Sequence, residues 1–238
     1  MPIRKILANG GIYHVIIRGV ADMPIFKNDQ DRFRMIFSLY EFNNDKPVVI
    51  REKRRARNKN NTKSYRGPSS VNLEKREILV EVLAFCFMPN HIHLLLRQVK
   101  DNGITRFMRK LGTGYAGYFN KKHDRSGYLF QGRFKSVHIK NNAQLLVVFS
   151  YIHTNPVALV EPAWKKNKVK NFKEVIKFLE GYKWSSYLDY SGRDNFPSLI
   201  KKNFLLEAFG GQNNCKKIVN DWVKYKSEIK SFGDILLD

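Results

Sequence analysis

Cysteine is scarce in this chain of 238 residues, which has only Cys86 and Cys215. That excludes a disulfide framework and any Cys-rich zinc site, and it suits a reducing compartment. Long apolar runs are missing too. A membrane helix needs roughly 18 consecutive apolar residues, and the longest strongly apolar stretches are 78–88 and 145–149. The opening MPIRKILANGG lacks the apolar centre of a secretion signal, so the expectation is a soluble, cytoplasmic protein. Acidic residues are few: 21 Asp and Glu stand against 43 Lys and Arg, a net charge of +22. Such an excess favours a polyanionic partner, above all nucleic acid, because each phosphate neutralised releases counterions. There is no internal repeat. What is present is core material: 43% hydrophobic residues, with 17 Phe and 11 Tyr, exclude a wholly disordered basic tail.

The positive charge is uneven. Residues 51–76 hold ten basic residues against Glu52 and Glu74, and large apolar side chains are nearly absent, so a mobile loop is expected. Residues 97–140 hold eleven basic residues against Asp101 and Asp124, interleaved with aromatics, which predicts a folded basic surface.

Periodicity orders the elements. Ile12–Arg18 is β-branched and closes at Gly19, a strand; residues 29–42 place Phe33, Ile36, Phe37 and Tyr40 at helical spacing. ILVEVLAFCFM (78–88) reads as a buried strand, turned by Pro89-Asn90 into a second strand, HIHLLLR (91–97). Residues 103–120 form an amphipathic helix, FKSVHIK (134–140) contains a short strand, and Asn141-Asn142 caps a helix that Pro156 stops. The order β-α-β-β-α-β predicts an α+β, ferredoxin-like antiparallel sheet with helices on one face and the other face free for a ligand. Residues 1–160 are expected to form that domain, and 161–238 a Lys-rich linker and helical appendage, packed on the sandwich or arranged as a small lobe, whose tail from 184 on holds Trp184, Phe196, Leu205, Phe209, Trp222 and Phe232.

His91 and His93 alternate with Ile92 on a strand, so both imidazoles share one face, where they suit either a divalent cation or a pair of half-exposed turn histidines. On the helix that follows, Tyr151 and Asn155 stand four residues apart on one face, with Asn155 at a frayed end before Pro156. They read either as nucleophile and third ligand, or as a boundary aromatic and a helix terminator. Taken together the features fit one reaction: a cation held by two imidazoles and an amide oxygen, and a tyrosine hydroxyl attacking a phosphodiester. That chemistry requires the 151 ring to be accessible and within about 12 Å of the pair, the reach of a side chain with modest loop movement.

The segments YHVIIRG (13–19), CFMPNHIHLLL (86–96), YFNKKHDRSGYLFQGRFKS (118–136), SYIHTNPV (150–157) and YKWSSY (182–187) together resemble the REP-associated tyrosine transposases, relatives of the HUH single-strand DNA transposases. The resemblance spans most of residues 11–190. It implies an HUH fold that cuts and rejoins single-stranded DNA at hairpins through a 5′-phosphotyrosine, with Mg²⁺ or Mn²⁺. It implies His91 and His93 as metal ligands, Tyr151 as nucleophile and Asn155 as third ligand. Apart from the resemblance, no membrane contact is expected, and the assembly is left open between monomer and homodimer. The insertion at 44–76 is longer than the family's usual link, and the tail beyond about 190 matches no motif.

Candidate DNA contacts are Arg18 and Arg97 at strand ends, and Arg106, Arg109, Lys110, Lys121 and Lys122 along the 103–120 helix and its end. Arg125, Gln131, Arg133 and Lys135 alternate with Tyr128, Phe130 and Phe134, which suits bases stacking on rings while cations hold phosphates. Phe130 and Phe134 equally suit a hairpin that closes the core. Tyr115 and Tyr118 fall at core spacing and are rival nucleophiles; His153 is structural or DNA-facing, His123 and His138 are surface residues, and Trp184 is packing. Two other functions fit: a non-catalytic ferredoxin-like nucleic-acid binder, and a His-metal phosphodiesterase that uses water.

Overall fold

A computed structural model describes residues 7–50, 52, 76–167 and 169–225. Four antiparallel strands, β1 (Ile12–Arg18), β2 (Val80–Met88), β3 (His91–Gln98) and β4 (Lys135–Ile139), lie in the order β2-β3-β1-β4. With α1 (Asp29–Glu41) and α2 (Gly103–Lys122) they complete the expected ferredoxin-like arrangement. Local sequence sets the ends. Asn28 accepts the Asp31 amide at 3.2 Å to start α1, and Asn141 accepts the Gln144 amide at 2.9 Å to start α3 (Asn142–Thr154). Pro89-Asn90 turns β2 into β3, in a register that sets Met88 opposite His91 and Cys86 opposite His93.

Helices α1 and α2 share one sheet face. Phe26, just before α1, stacks on Phe87 of β2 at 5.3 Å, and Tyr115 of α2 donates to the Ile25 carbonyl at 2.6 Å. A Cβ on Gly112 of α2 would stand 3.6 Å from Ile17 Cδ1, so the odd-numbered side chains of β1 face these helices. Alternation sends His14 to the opposite face, and that face is not left free as expected. Helix α3 lies on it, with the Tyr151 ring edge-on to His14 at 5.9 Å. The reason is in β2, which is buried along nearly its whole length: a strand apolar on both faces must be covered on both.

The C-terminal region supplies the rest of that cover. Helices α4 (Phe172–Gly181), α5 (Tyr187–Tyr190), α6 (Asn203–Ala208) and α7 (Gln212–Tyr225) pack on the sandwich rather than standing apart as a lobe. The segments between them line the outer edge of β2: the Phe87 amide donates to the Trp184 carbonyl at 2.9 Å, Ser186 to Phe85 at 3.0 Å, and Lys201 to Val82 at 2.9 Å. The ends of the basic insertion meet, the Asp45 amide donating to the Glu77 carbonyl at 2.8 Å. The expected mobile loop at 51–76 lies almost wholly outside the described residues, as does Phe232. No helix among the described residues is long and apolar enough to cross a membrane.

Candidate active site

At the start of β3 the pleat does what the spacing foretold: the His91 and His93 rings share a face, with centroids 4.7 Å apart. His91 Nδ1 lies 2.6 Å from Asn90 Oδ1. An amide oxygen only accepts, so the His91 proton sits on Nδ1 and Nε2 carries the lone pair. That Nε2 is buried and has no hydrogen-bond partner. His93 is held at both nitrogens, Nδ1 3.0 Å from His14 Nε2 and Nε2 3.2 Å from the Asn155 side-chain amide. With Asn155 Nδ2 donating to His93 Nε2, His93 Nδ1–H donates in turn to His14. Both imidazoles therefore carry their lone pair on Nε2.

Burial keeps the pair neutral. It pushes the His91 pKa down to about 3, with the Arg18 and Lys165 charges adding and Asp22 opposing. His93 is driven well below the ordinary histidine range by burial, by His14 and His91, and by Lys165 and Arg18. Neutral imidazole is the form that ligates metal. Among the described residues no group of three or more His, Cys, Asp or Glu forms a metal cluster, so a cation here depends on an amide oxygen from Asn155 as third donor. The residues fit that demand: one imidazole nitrogen without a partner, a second facing the amide, and an amide whose ends exchange by rotation about χ2.

Asn155 corrects one expectation. It is not frayed: α3 runs into a 3-10 turn (Asn155–Leu159), and Asn155 keeps αR angles of φ −50°, ψ −40° although Pro156 follows. Pro is tolerated there because it is the second residue of the new turn, inside its first turn, where a missing N–H costs no intrahelical bond. Asn155 is 3% exposed and turned in toward His93.

Tyr151 meets one requirement and not the other. Its ring lies edge-on to His93 at 5.4 Å, so the ring of the same chain reaches the pair. Yet it is 1% exposed, where an accessible ring was expected. The Lys165 ammonium lies over its face, 4.9 Å from the centroid. A phosphodiester reaches this ring only if that cover moves. The rival tyrosines lie elsewhere: Tyr115 is bonded to the Ile25 carbonyl, and Tyr118 to Asp31 at 3.2 Å, both on the α1–α2 side of the sheet.

Two residues of the site were absent from the candidates. His14 lies 79 positions before His93 in sequence, and its signal was the alternation on β1 beside the His-bearing strand. Lys165 was one of many lysines in a Lys-rich stretch, with no pattern to separate it.

The DNA-contact candidates divide by engagement. Arg109, Lys121, Gln131, Arg133 and Lys135 are exposed. Tyr128, among the last three, is 87% exposed, while Phe130 is buried against Tyr115. Arg18 stands across from His91 on β1 and pairs with Asp22 at 3.1 Å. The others hold the fold: Arg97 pairs with Glu81, Arg106 with Asp45, and Lys122 with the buried Asp31 at 2.8 Å. Lys110 donates to the Asn44, Asp45 and Lys46 carbonyls, and Arg125 to Asn120 Oδ1 and the Tyr128 carbonyl. His153 is buried and bonded to Ser186 Oγ at 2.8 Å, a structural role. His123, expected at the surface, is instead half-buried with Nε2 3.0 Å from Asp31. His138 is exposed and stacks on Tyr13 at 4.9 Å, and Trp184 is packed.

No curated protein matches the sequence. Among solved structures the chain is similar to that of the REP-associated tyrosine transposase bound to a REP hairpin, at 15% identity and a TM-score of 0.48, covering 85% of this chain and 92% of that one. A likeness at that level supports no conclusion about function. The family model described as "Transposase IS200 like" matches residues 46–155. The stretch bearing His91, His93, Tyr151 and Asn155 thus lies within the part of the chain that is similar to that family.

Proposed function

We propose that the chain is a transposase-type enzyme that cuts and rejoins single-stranded DNA at hairpin-forming sites through Tyr151. The observation that carries this reading is convergence: residues from β3, from α3 and from the 3-10 turn after it, far apart in sequence, bring a tyrosine ring, two neutral imidazoles and an amide into one buried cluster. The IS200-like signature over 46–155 supports the same reading.

His91 Nε2, His93 Nε2 and the Asn155 amide oxygen would hold a divalent cation, Mg²⁺ or Mn²⁺. Such an ion supplies Lewis acidity, polarising the scissile phosphate and its leaving oxygen. Asn90 fixes the His91 ring through Nδ1, and His14 fixes His93, so neither imidazole must reorient to ligate. Tyr151 Oη forms a bond to phosphorus and gives up its proton. The bond from phosphorus to the 3′ oxygen breaks, and that oxygen takes up a proton as a free 3′-hydroxyl. The 5′ phosphate stays on Tyr151. Attack by another 3′-hydroxyl reverses these steps, so rejoining needs no nucleotide cofactor.

The burial of Tyr151 favours a second reading, a His-metal phosphodiesterase that uses water. Incubation of 3′-labelled single-stranded hairpins with the protein and Mn²⁺ separates the two. The tyrosine reading expects label covalently on the protein, lost in Tyr151→Phe together with cleavage. Cleavage at an undiminished rate by Tyr151→Phe, with no adduct in the wild type, would establish the water mechanism instead.

A further inference from the structure

The charge around the site is positive before any cation binds. His91 and His93 are neutral, both feel the Lys165 and Arg18 charges, and Asp22 opposes at His91. Arg18 is already in an ion pair with Asp22. Lys165 approaches from a different element, the turn after the 3-10 segment. That turn is pinned by Trp164, 2% exposed, and by the Trp164 amide donating to the Glu161 carbonyl at 3.1 Å. Half-buried, its ammonium rests over the Tyr151 ring at 4.9 Å from the centroid. The next residue on from a fixed tryptophan is therefore a long, flexible cation laid against the ring that is to receive a phosphate.

We propose that Lys165 is the phosphate-holding cation of this site. In the DNA-free arrangement its ammonium covers Tyr151. When a strand enters, the ammonium leaves the ring face and donates to a non-bridging oxygen of the scissile phosphate, and it stays on that oxygen in the 5′-phosphotyrosine. Lys165 then contributes to two facts: one face of the ring is covered, and the site is cationic, there together with Arg18. No atom of Lys165 is transferred. Its contribution is charge placed where negative charge grows as the bond from Tyr151 Oη to phosphorus forms, which raises the rate more than the affinity. The inference rests on the Tyr151 reading above.

The test uses the full chain, 3′-labelled single-stranded hairpin DNA and Mn²⁺, and measures adduct formation at saturating DNA. Affinity for the same DNA is measured without divalent metal. Lys165→Met keeps the length and packing of the side chain and removes the charge. It is expected to slow adduct formation about a hundredfold while affinity changes less than about threefold, since one phosphate contact among many is lost. Lys165→Arg is expected to regain most of the rate, and thermal melts of both variants check the fold. If wild type forms adduct and Lys165→Met keeps pace, the inference falls and the Tyr151 reading survives. Equal losses in the Met and Arg variants also overturn it, because charge is then not what matters. A wild type that forms no adduct with any hairpin removes both.

Discussion

At the scale of single residues, the imidazole that no motif reading singled out has the sharpest consequence. His14 is fully buried, and its Nε2 takes the Nδ1 proton of His93, which leaves His93 Nε2 for ligation. Partners of this kind typically contribute 10- to 100-fold in metal affinity. His14→Leu, which keeps bulk and loses the acceptor, is expected to weaken Mn²⁺ binding by about that factor, read by calorimetric or paramagnetic titration. His14→Gln offers an amide oxygen to the same proton and is expected to recover part of it. Equal Mn²⁺ affinity in wild type and His14→Leu would show that His93 needs no such support. The His91/His93 pair was legible because a strand's two-residue period is strict; His14 was not, because pairing of β1 with β3 is a long-range fact that single-strand patterns do not carry.

At the scale of elements, α1, α2 and their order could be read from apolar spacing, and the cap Asn141 from residue type, while the Asn28 cap emerged only in the structure. What spacing could not show is which charges are occupied. Asp31 opens α1 with no solvent exposure, and it accepts from Lys122 at 2.8 Å and from the Lys27 amide at 2.8 Å, with His123 Nε2 at 3.0 Å. Lys122, read as a DNA contact from a basic helix end, is thereby a clamp between α1 and α2. Burial raises the Asp31 pKa, but the hydrogen bonds from Lys122, the Lys27 amide and His123, with the Lys122 charge, outweigh it and hold the carboxyl below its ordinary value. A carboxylate with a depressed folded pKa stabilises the fold fully above its unfolded pKa of about 3.9, and that contribution is lost as pH falls through the lower folded value. Asp31→Asn is expected to cost about 2 kcal/mol at pH 7, less than a fully buried pair because Lys122 is partly exposed. In urea melts the gap between wild type and Asp31→Asn should narrow as pH drops below about 4. A gap unchanged between pH 7 and pH 3 would show that the Asp31 charge does not matter.

At the scale of the whole molecule, the sandwich is not finished at residue 160. β2 is an outer strand with apolar side chains on both faces, and its outer edge is bonded by Trp184, Ser186 and Lys201 main-chain groups. Tyr190 adds a hydroxyl donated to the Leu83 carbonyl at 2.6 Å, and Phe209 packs on Phe149 of α3 at 4.9 Å. None of this could be read from a tail with scattered aromatics, because its elements are short and their partners lie about 100 residues earlier. A fragment of residues 1–160 would present a bare strand edge beside an uncovered apolar face, the combination that pairs with other chains. It would also strip Ser186 from His153 on the helix that carries Tyr151. The expected outcome is a fragment that aggregates or elutes as a heterogeneous assembly, without the cooperative melt of the full chain and without DNA-adduct formation. A monomeric 1–160 fragment that melts cooperatively near the full-length midpoint would mean that the sandwich supports itself, and that the C-terminal region serves recognition rather than folding.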